Sequence, residues 1–282
     1  MNQKTKQIAL FGEVLFDQFP DGKQVLGGAP FNVAWHLQAF GVEPLFISRV
    51  GKDDNGENIL ATMQNWDMRI DAVQIDTQHP TGCVQIQLQN GEPSYDIVAD
   101  SAWDFIDVTA LPDLSNIKLF YHGSLVFRQT MSRQCLARIL AGDFKRFVDV
   151  NLRDPWWCRH RLEQMIESAT WLKLNTDEQL QLQKEITGFG GNLIVTAGAA
   201  GATFLPQQGE ALTVSPTPTM VVDTVGAGDA FSSIVLLGIL SDWPMPLTFE
   251  RAQQFASRVV ELQGATTQDR AFYQDFIRQW RL

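Results

Sequence analysis

Cysteine is scarce. Cys83, Cys135 and Cys158 are the three in 282 residues, widely spaced, with no Cys-x-x-Cys pair among them. That excludes a disulfide framework or a thiolate zinc site and fits a reducing compartment, with the thiols buried or incidental. Long apolar runs are lacking too: nothing approaches the ~18 residues of a membrane-spanning helix, so no span is expected. Residues 1–7 are polar, without the apolar core of a signal peptide, and a cytoplasmic location is the expectation. Positive charge is in deficit, 22 Lys and Arg against 32 Asp and Glu, for a net charge of −10. This balance argues against a general nucleic-acid or acidic-membrane surface, although a phosphate ligand with its metal can still occupy a local pocket. Internal repeats and low-complexity segments are absent. So are two nucleotide motifs: no Gly-Lys-Ser/Thr completes a Walker loop, and no Gly-x-Gly-x-x-Gly follows the first strand, which argues against a dinucleotide-dependent reductase.

What is present is core-forming. Hydrophobic residues make up 45% and charged residues 19%, ordinary for one large α/β domain. The chain is organised around Asp223-Thr-Val-Gly-Ala-Gly-Asp-Ala-Phe231. Thr219 to Val222 just before it is β-branched and apolar and reads as a strand end. Ala230 to Leu240 just after it is an apolar run long enough for a buried helix. Gly226 and Gly228 then sit at a strand-to-helix turn, where bare N–H groups converge on an anion. Asp229 stands beside that anion, placed to take a proton from an attacking hydroxyl. A Gly-x-Gly turn before a helix is common in proteins that bind no phosphate. Two flanking aspartates are less expected, because carboxylates repel an anion unless a metal or the chemistry requires them.

Ile8 to Gly12 reads as a first buried strand. Asp17, among Leu15, Phe16 and Phe19, is either a solvated turn residue or a carboxylate leaning into a pocket; Glu13 reads as structural. Gly27-Gly28 opens a helix with Pro30 in its first turn and Gly41 as its stop. Asn32 lies in that first turn, and His36 reads as a core histidine. Pro44 to Val50 is a strand, Gly51 to Gly56 a loop, and Glu57 to Trp66 a helix. Between Thr81 and Gln89, Gln85, Gln87 and Cys83 alternate with Val84, Ile86 and Leu88, and Asn90-Gly91 signals a hairpin returning through Ser94 to Val98.

Strands at Ile117–Tyr121, Arg146–Val150, Ala169–Leu174 and Asn192–Thr196 alternate with helices at Gln129–Leu140 and Thr176–Glu185. Such alternation predicts a mainly parallel sheet covered by helices on both faces, with ligands at the carboxyl ends of its strands. Three polar clusters fall at those ends: Asp149-x-Asn151-x-Arg153, Asn175-x-x-Glu178, and Thr196-Ala197-Gly198. Each has a plain explanation as well; Asn175 and Glu178 form the pattern of a helix capping box.

The Asp223–Phe231 string resembles the C-terminal signature of the ribokinase-like (PfkB) carbohydrate kinases. Gly27-Gly28, Asn32 and Val50-Gly-x-Asp53-x-x-Gly56 resemble their N-terminal signature. Asp149-x-Asn151-x-Arg153 followed by Trp157 is similar to a stretch of the fructokinase-like and ketodeoxygluconate-kinase-like members. The resemblance covers nearly the whole chain. It implies a ribokinase-like three-layer α/β/α sandwich over residues 1–282, a single domain with a mainly parallel sheet. A small β lid, at about 13–27 and 81–100, would close over the sugar and often pairs with a second subunit, giving a homodimer. It implies ATP and Mg²⁺ as cofactors and a small-molecule sugar as acceptor. Asp229 would be the base, Gly226, Ala227 and Gly228 the anion hole, and Arg153 a partner of the transferring phosphate. Asp17, Gly27, Gly28, Asn32 and Asn151 would hold the sugar. Asn175, Thr196, Gly198 and Gly201 would line the nucleotide together with Gly226 and Gly228, although Ala197 stands where a larger apolar residue is usual. Gln254 to Ala265 would flank the adenine. Glu178 would organise Mg²⁺ through water, and Asp223 a monovalent cation such as K⁺, as in some relatives. Trp103 and Tyr95 either shape sugar choice or only pack. Fructose is the favoured acceptor, with ribose, ketodeoxygluconate or a nucleoside as alternatives. A non-catalytic sensor on the same fold is the other class, which the intact Asp229 and glycine pair disfavour.

Overall fold

The computed structural model describes residues 7–89 and 92–282, so the Asn90-Gly91 turn lies outside the described residues. In chain order the first elements are β1 (Ile8–Phe11), β2 (Leu15–Gln18), β3 (Gln24–Gly27), α1 (Ala29–Ala39), β4 (Leu45–Gly51), α2 (Asp54–Asn65) and β5 (Val73–Asp76). The hairpin β6 (Gly82–Gln89) and β7 (Glu92–Ile97) follows, then β8 (Leu119–His122), α3 (Thr130–Ile139), β9 (Lys145–Asp149) and α4 (Arg159–Ser168). Next come β10 (Trp171–Asn175), α5 (Thr176–Gln181), α6 (Gln183–Ile186), β11 (Asn192–Thr196), β12 (Ala202–Leu205) and β13 (Leu212–Val214). The chain closes with α7 (Ala227–Leu240), α8 (Met245–Val259) and α9 (Arg270–Trp280).

Nine strands form the large sheet in the order β13-β12-β11-β10-β9-β8-β1-β4-β5. It is parallel from β11 to β5, with β12 and β13 added antiparallel at one edge. The pleat divides the core. Ile8 and Leu10 of β1, Tyr121 of β8 and Phe147 of β9 point to the face covered by α1, α2, α7, α8 and α9. Their neighbours Ala9, Phe11 and Phe120 face α3, and Val148 faces α4. Successive side chains on a strand alternate faces, so two apolar faces need two helical layers. This is the expected α/β/α sandwich. A separate four-stranded sheet, β3-β2-β6-β7, is antiparallel except for the parallel β2–β6 pair. Val84 and Ile86 are buried and Gln85 and Gln87 exposed, as the alternation predicted.

Some elements depart from the sequence reading. Thr219 to Val222 is not a strand: it is a loop tied to the end of α8 by Val222 and Asp223 amides donating to the Val260 carbonyl. β-branched residues favour extended backbone, but a strand also needs a neighbour, and none pairs here. Helix α2 starts before Glu57 because Asp53 caps it, accepting from the Gly56 amide at 2.8 Å. The helix expected from Thr176 to Glu185 breaks at Leu182. His36 is a core residue, its ring bonded to the Tyr273 hydroxyl and the Ala265 carbonyl.

Candidate active site

The site grows from the first turn of α7. This helix is apolar on nearly all sides and is buried from Ala230 to Gly238, which fixes its axis against α1 and α8. Gly226, its N-cap, has φ +78°, and a Cβ there would collide with Ala265, so only glycine fits comfortably. Helix termini leave their first amides unpaired. Those of Gly228 and Asp229 take no protein acceptor among the described residues, whereas that of Ala227 turns back to the Thr224 carbonyl at 3.3 Å. The loop before them is locked by Asp223, whose two carboxylate oxygens accept from the amides of Val225 and Gly264 at 3.0 Å each.

Asp229 projects from this turn toward α1. Asn32 Nδ2 donates to Asp229 Oδ2 at 2.8 Å, joining the two glycine signatures across the molecule. Asn32 is 4% exposed, and its Oδ1 is buried without a partner. Enclosure away from water pushes the Asp229 carboxyl up to about 7. The Asn32 bond opposes that rise, the Asp149 charge adds to it, and Lys173 and Arg153 oppose it. Gly28, the N-cap of α1 at φ +111°, leaves no room for a Cβ, which would stand 2.6 Å from the Glu13 carbonyl.

The strand ends supply the rest. Lys173 in β10 reaches both carboxylate oxygens of Asp149 in β9 at 2.9 and 2.8 Å, and Ser232 of α7 donates to the same carboxylate at 2.8 Å. The ammonium stands 3.4 Å from where a Cβ of Gly228 would lie. Asn175 and Glu178 do form a capping box, the Asn175 side chain accepting from the Asp177 and Glu178 amides at 2.9 Å. Glu178 is buried. It accepts from the amides of Leu152 and Asn175 at 2.7 and 2.8 Å, and burial still raises its carboxyl above the ordinary value. Asn151 holds φ +42°, and its carbonyl accepts from Ser124. Arg153 is exposed, donating to the Leu152 carbonyl.

These groups line one cavity of about 980 Å³. Asp17, Gly27, Gly28, Asn32 and Asp229 line it beside the small sheet and the first turns of α1 and α7. Asn175, Glu178, Thr196 and Gly198 line it at the ends of β10 and β11, with Asp223 before α7 and Asn151, Arg153 and Lys173 also on the wall. The small sheet closes its own side with an apolar wall of Leu15, Val84, Ile86, Tyr95 and Ile97. Burial raises the Asp17 carboxyl, against the pull of Arg153. One expectation changes, and one choice left open by the sequence is narrowed. Gly201 does not line the cavity; at φ +95° it closes the turn between β11 and β12, where an added Cβ would collide with the Val214 carbonyl of β13. Trp103 is buried under Arg128 and packs, while Tyr95 faces the cavity. Sequence reasoning missed Lys173, whose signal was a lysine inside the apolar strand Trp171–Leu174, and it assigned Glu13 a structural place although Glu13 lines the cavity.

Among the described residues, no group of three or more His, Cys, Asp or Glu is arranged to hold a metal. The Glu178 oxygens are already engaged by backbone amides. The residues therefore fit a Mg²⁺ carried by phosphates and water, with Glu178 beyond the water, better than one held directly by protein.

An α/β/α sandwich, a small sheet over the carboxyl ends of its strands and an aspartate at an open helix N-terminus define the ribokinase-like class. The family model for pfkB family carbohydrate kinases matches residues 3–271. An uncharacterized sugar kinase of Pyrococcus horikoshii is 30% identical over 274 residues, 85% of this chain and 84% of that protein. Its structure in complex with ATP gives a TM-score of 0.83, covering 92% and 93% of the two chains. Fructoselysine 6-kinase of Escherichia coli is 27% identical over 277 residues, 92% of this chain and 99% of that one. A double-mutant fructokinase of Vibrio cholerae, bound to fructose, ADP and potassium, is 23% identical and shares the fold, with a TM-score of 0.82 over 96% and 98%. The chain belongs to the pfkB family of carbohydrate kinases.

Proposed function

We propose that this carbohydrate kinase transfers the γ-phosphoryl group of ATP to a hydroxyl of a monosaccharide, with fructose the favoured acceptor. The carrying observation is the meeting of Asp229, the open amides of α7 and Asn32 at one end of a cavity whose other end follows the strand ends to Thr196 and Gly198. The sugar lies against Asp17, Gly27, Gly28, Asn32 and Asn151. As its hydroxyl oxygen bonds to the γ-phosphorus, the bond to the bridging oxygen of ADP breaks and the hydroxyl proton passes to Asp229. A base of this kind contributes about 10²- to 10⁴-fold, most effectively with a pKa near the working pH. The amides at Gly226–Asp229, chiefly those of Gly228 and Asp229, face the developing negative charge, and losing one such donor costs about 10²- to 10³-fold. Arg153 reaches over the transferring group; Asn175, Thr196 and Gly198 hold the nucleotide. Mg²⁺, when bound, would supply positive charge to the phosphates; Glu178 would help to hold it through water, and Asp223 would help to place a K⁺ ion.

Fructose is favoured because an Escherichia coli fructokinase is 28% identical over 294 residues, and because of the Gly12-Glu13…Asp17 start, the Gly27–Asn32 helix entry and the Asn151/Arg153 stretch, the last of which ketodeoxygluconate-kinase-like members share. Residues 1–282 are read as one kinase domain in which the small sheet acts as a lid and as the surface of a homodimer. No described helix is long and apolar enough to cross a membrane; a cytoplasmic enzyme that binds neither nucleic acid nor membrane is part of the proposal, on the net charge of −10. The test is ATP- and Mg²⁺-dependent ADP release with fructose, ribose, ketodeoxygluconate, fructoselysine and adenosine. A preference for fructose supports the full reading. Preference for another acceptor discards fructose and keeps the transfer chemistry. No turnover with any of them, despite ATP binding, sinks the proposal.

A further inference from the structure

Glu13 stands in the turn between β1 and β2, at the floor of the sugar end. It is 4% exposed and lines the cavity, yet its Oε2 has no hydrogen-bond partner. A buried polar atom left without a partner costs about 1–3 kcal/mol, and buried groups are otherwise almost always satisfied. No ion pair involves Glu13 or Asp17 among the described residues. Arg153 and Arg128 act on Glu13 only through space, and burial holds its carboxyl above the ordinary range. A second orphan, Asn32 Oδ1, opens on the same end, beside the carboxylates of Asp17 and Asp229. The buried side-chain atoms left without a partner at this end are therefore acceptors. Lys173 is committed to Asp149, and the other cations that reach the cavity, Lys23 and Arg153, are exposed.

A wall of acceptors is completed by a ligand rich in O–H or N–H donors. It is opposed by a ligand that brings another carboxylate. We infer that Glu13 is a specificity residue that accepts a hydrogen bond from a hydroxyl of the acceptor, and that with Asp17 and Asn32 it selects neutral or cationic sugars over sugar acids. This rests on the kinase reading above and names the acceptor class for that site. Nothing in it depends on which neutral sugar is used.

The experiment compares the full-length enzyme with Glu13→Gln, using fructose, fructoselysine and ketodeoxygluconate as acceptors and ATP as donor. Hydrogen bonds to charged groups are worth about 1.5–3 kcal/mol, so kcat/KM for a neutral sugar is expected to fall about 10- to 100-fold, mostly in KM. The KM for ATP stays unchanged, and the preference for a neutral sugar over ketodeoxygluconate narrows. An equal loss with all three sugars and with ATP, or an unchanged sugar KM, overturns the inference. Should Glu13→Gln fold poorly, the wild type alone decides: ketodeoxygluconate preferred over fructose overturns the inference while leaving the kinase reading intact. If no sugar is turned over, the kinase reading fails instead. Sugar binding without nucleotide, followed by calorimetry, then still reads Glu13: weaker binding of fructose by the variant supports the inference, and equal or absent binding overturns it.

Discussion

Asp229 carries opposed demands, and its environment reconciles them. Burial raises its carboxyl to about 7, while Asn32 keeps the ionised form supported. If it is the base, Asp229→Asn should lower kcat by at least about 10²-fold with the KM for ATP and sugar little changed; retention of more than a tenth of the rate would remove Asp229 from that role. The same group has a stability signature. Its native pKa lies above the unfolded value of about 3.9, so the stability it contributes is complete below that value and is lost as pH rises through about 7. Asp229→Asn should therefore melt above the wild type at pH 8, with the gap closing toward pH 4. Asn32→Ala removes a bond that lowers the pKa. The rising limb of kcat/KM against pH, expected near 7 in the wild type, should move to higher pH in this variant. An unmoved limb would mean that another group sets it. At this scale the sequence was partly legible. Asn32 and Asp229 stood out because of the glycines beside them. Glu13 did not, because nothing in its local pattern separates a charged residue that reaches a cavity from one that reaches water. Lys173 was marked only by its place inside an apolar strand, which fits equally a lysine whose ammonium reaches solvent.

Elements show where pattern and structure agree and where they part. The Asn175–Glu178 segment was legible both as a capping box and as a candidate site; the cap forms, and the same two residues line the cavity. Thr219 to Val222 was misread because propensity reports extended backbone, while pairing is decided by what lies alongside. The turn into α7 is more sharply determined. Gly226→Ala forces a positive φ on a residue with a Cβ and drives that Cβ into Ala265. It should cost about 1–3 kcal/mol in strain and, by shifting the open amides, reduce kcat about 10²-fold or more. Gly198→Ala separates the collision from the backbone strain, since Gly198 is also at positive φ (+51°) but no atom lies within 4 Å of its added Cβ. If the two variants lose equal stability in urea unfolding, close approach at Gly226 adds nothing to the strain of its φ.

At the scale of the molecule, the three layers followed from alternating strand and helix patterns. The antiparallel edge and the terminal helix were not read from them, since late hairpins and a surface helix carry weaker signals. The two sheets are joined by a buried ion pair. Arg128 reaches Asp104 at 2.6 and 2.5 Å, donates to the carbonyls of Ile97 and Val98 at the end of β7, and lies between the rings of Trp103 and Trp156. Arg128→Met strands the Asp104 carboxylate and should cost about 3–5 kcal/mol in urea unfolding. A loss below about 1 kcal/mol would show the pair to be no stronger than an exposed one. The bond between Asn32 and Asp229 spans 197 positions of the chain. At a synthesis rate of about 5–20 residues per second, the ribosome has roughly 10–40 s of work left between adding one partner and adding the other. The β1, β4 and α1 half can be complete in the meantime, but a growing chain has no partner for Asn32 until α7 emerges. A chain released early would be inert toward ATP, not half-active, so unfinished copies would not consume the cell's nucleotide.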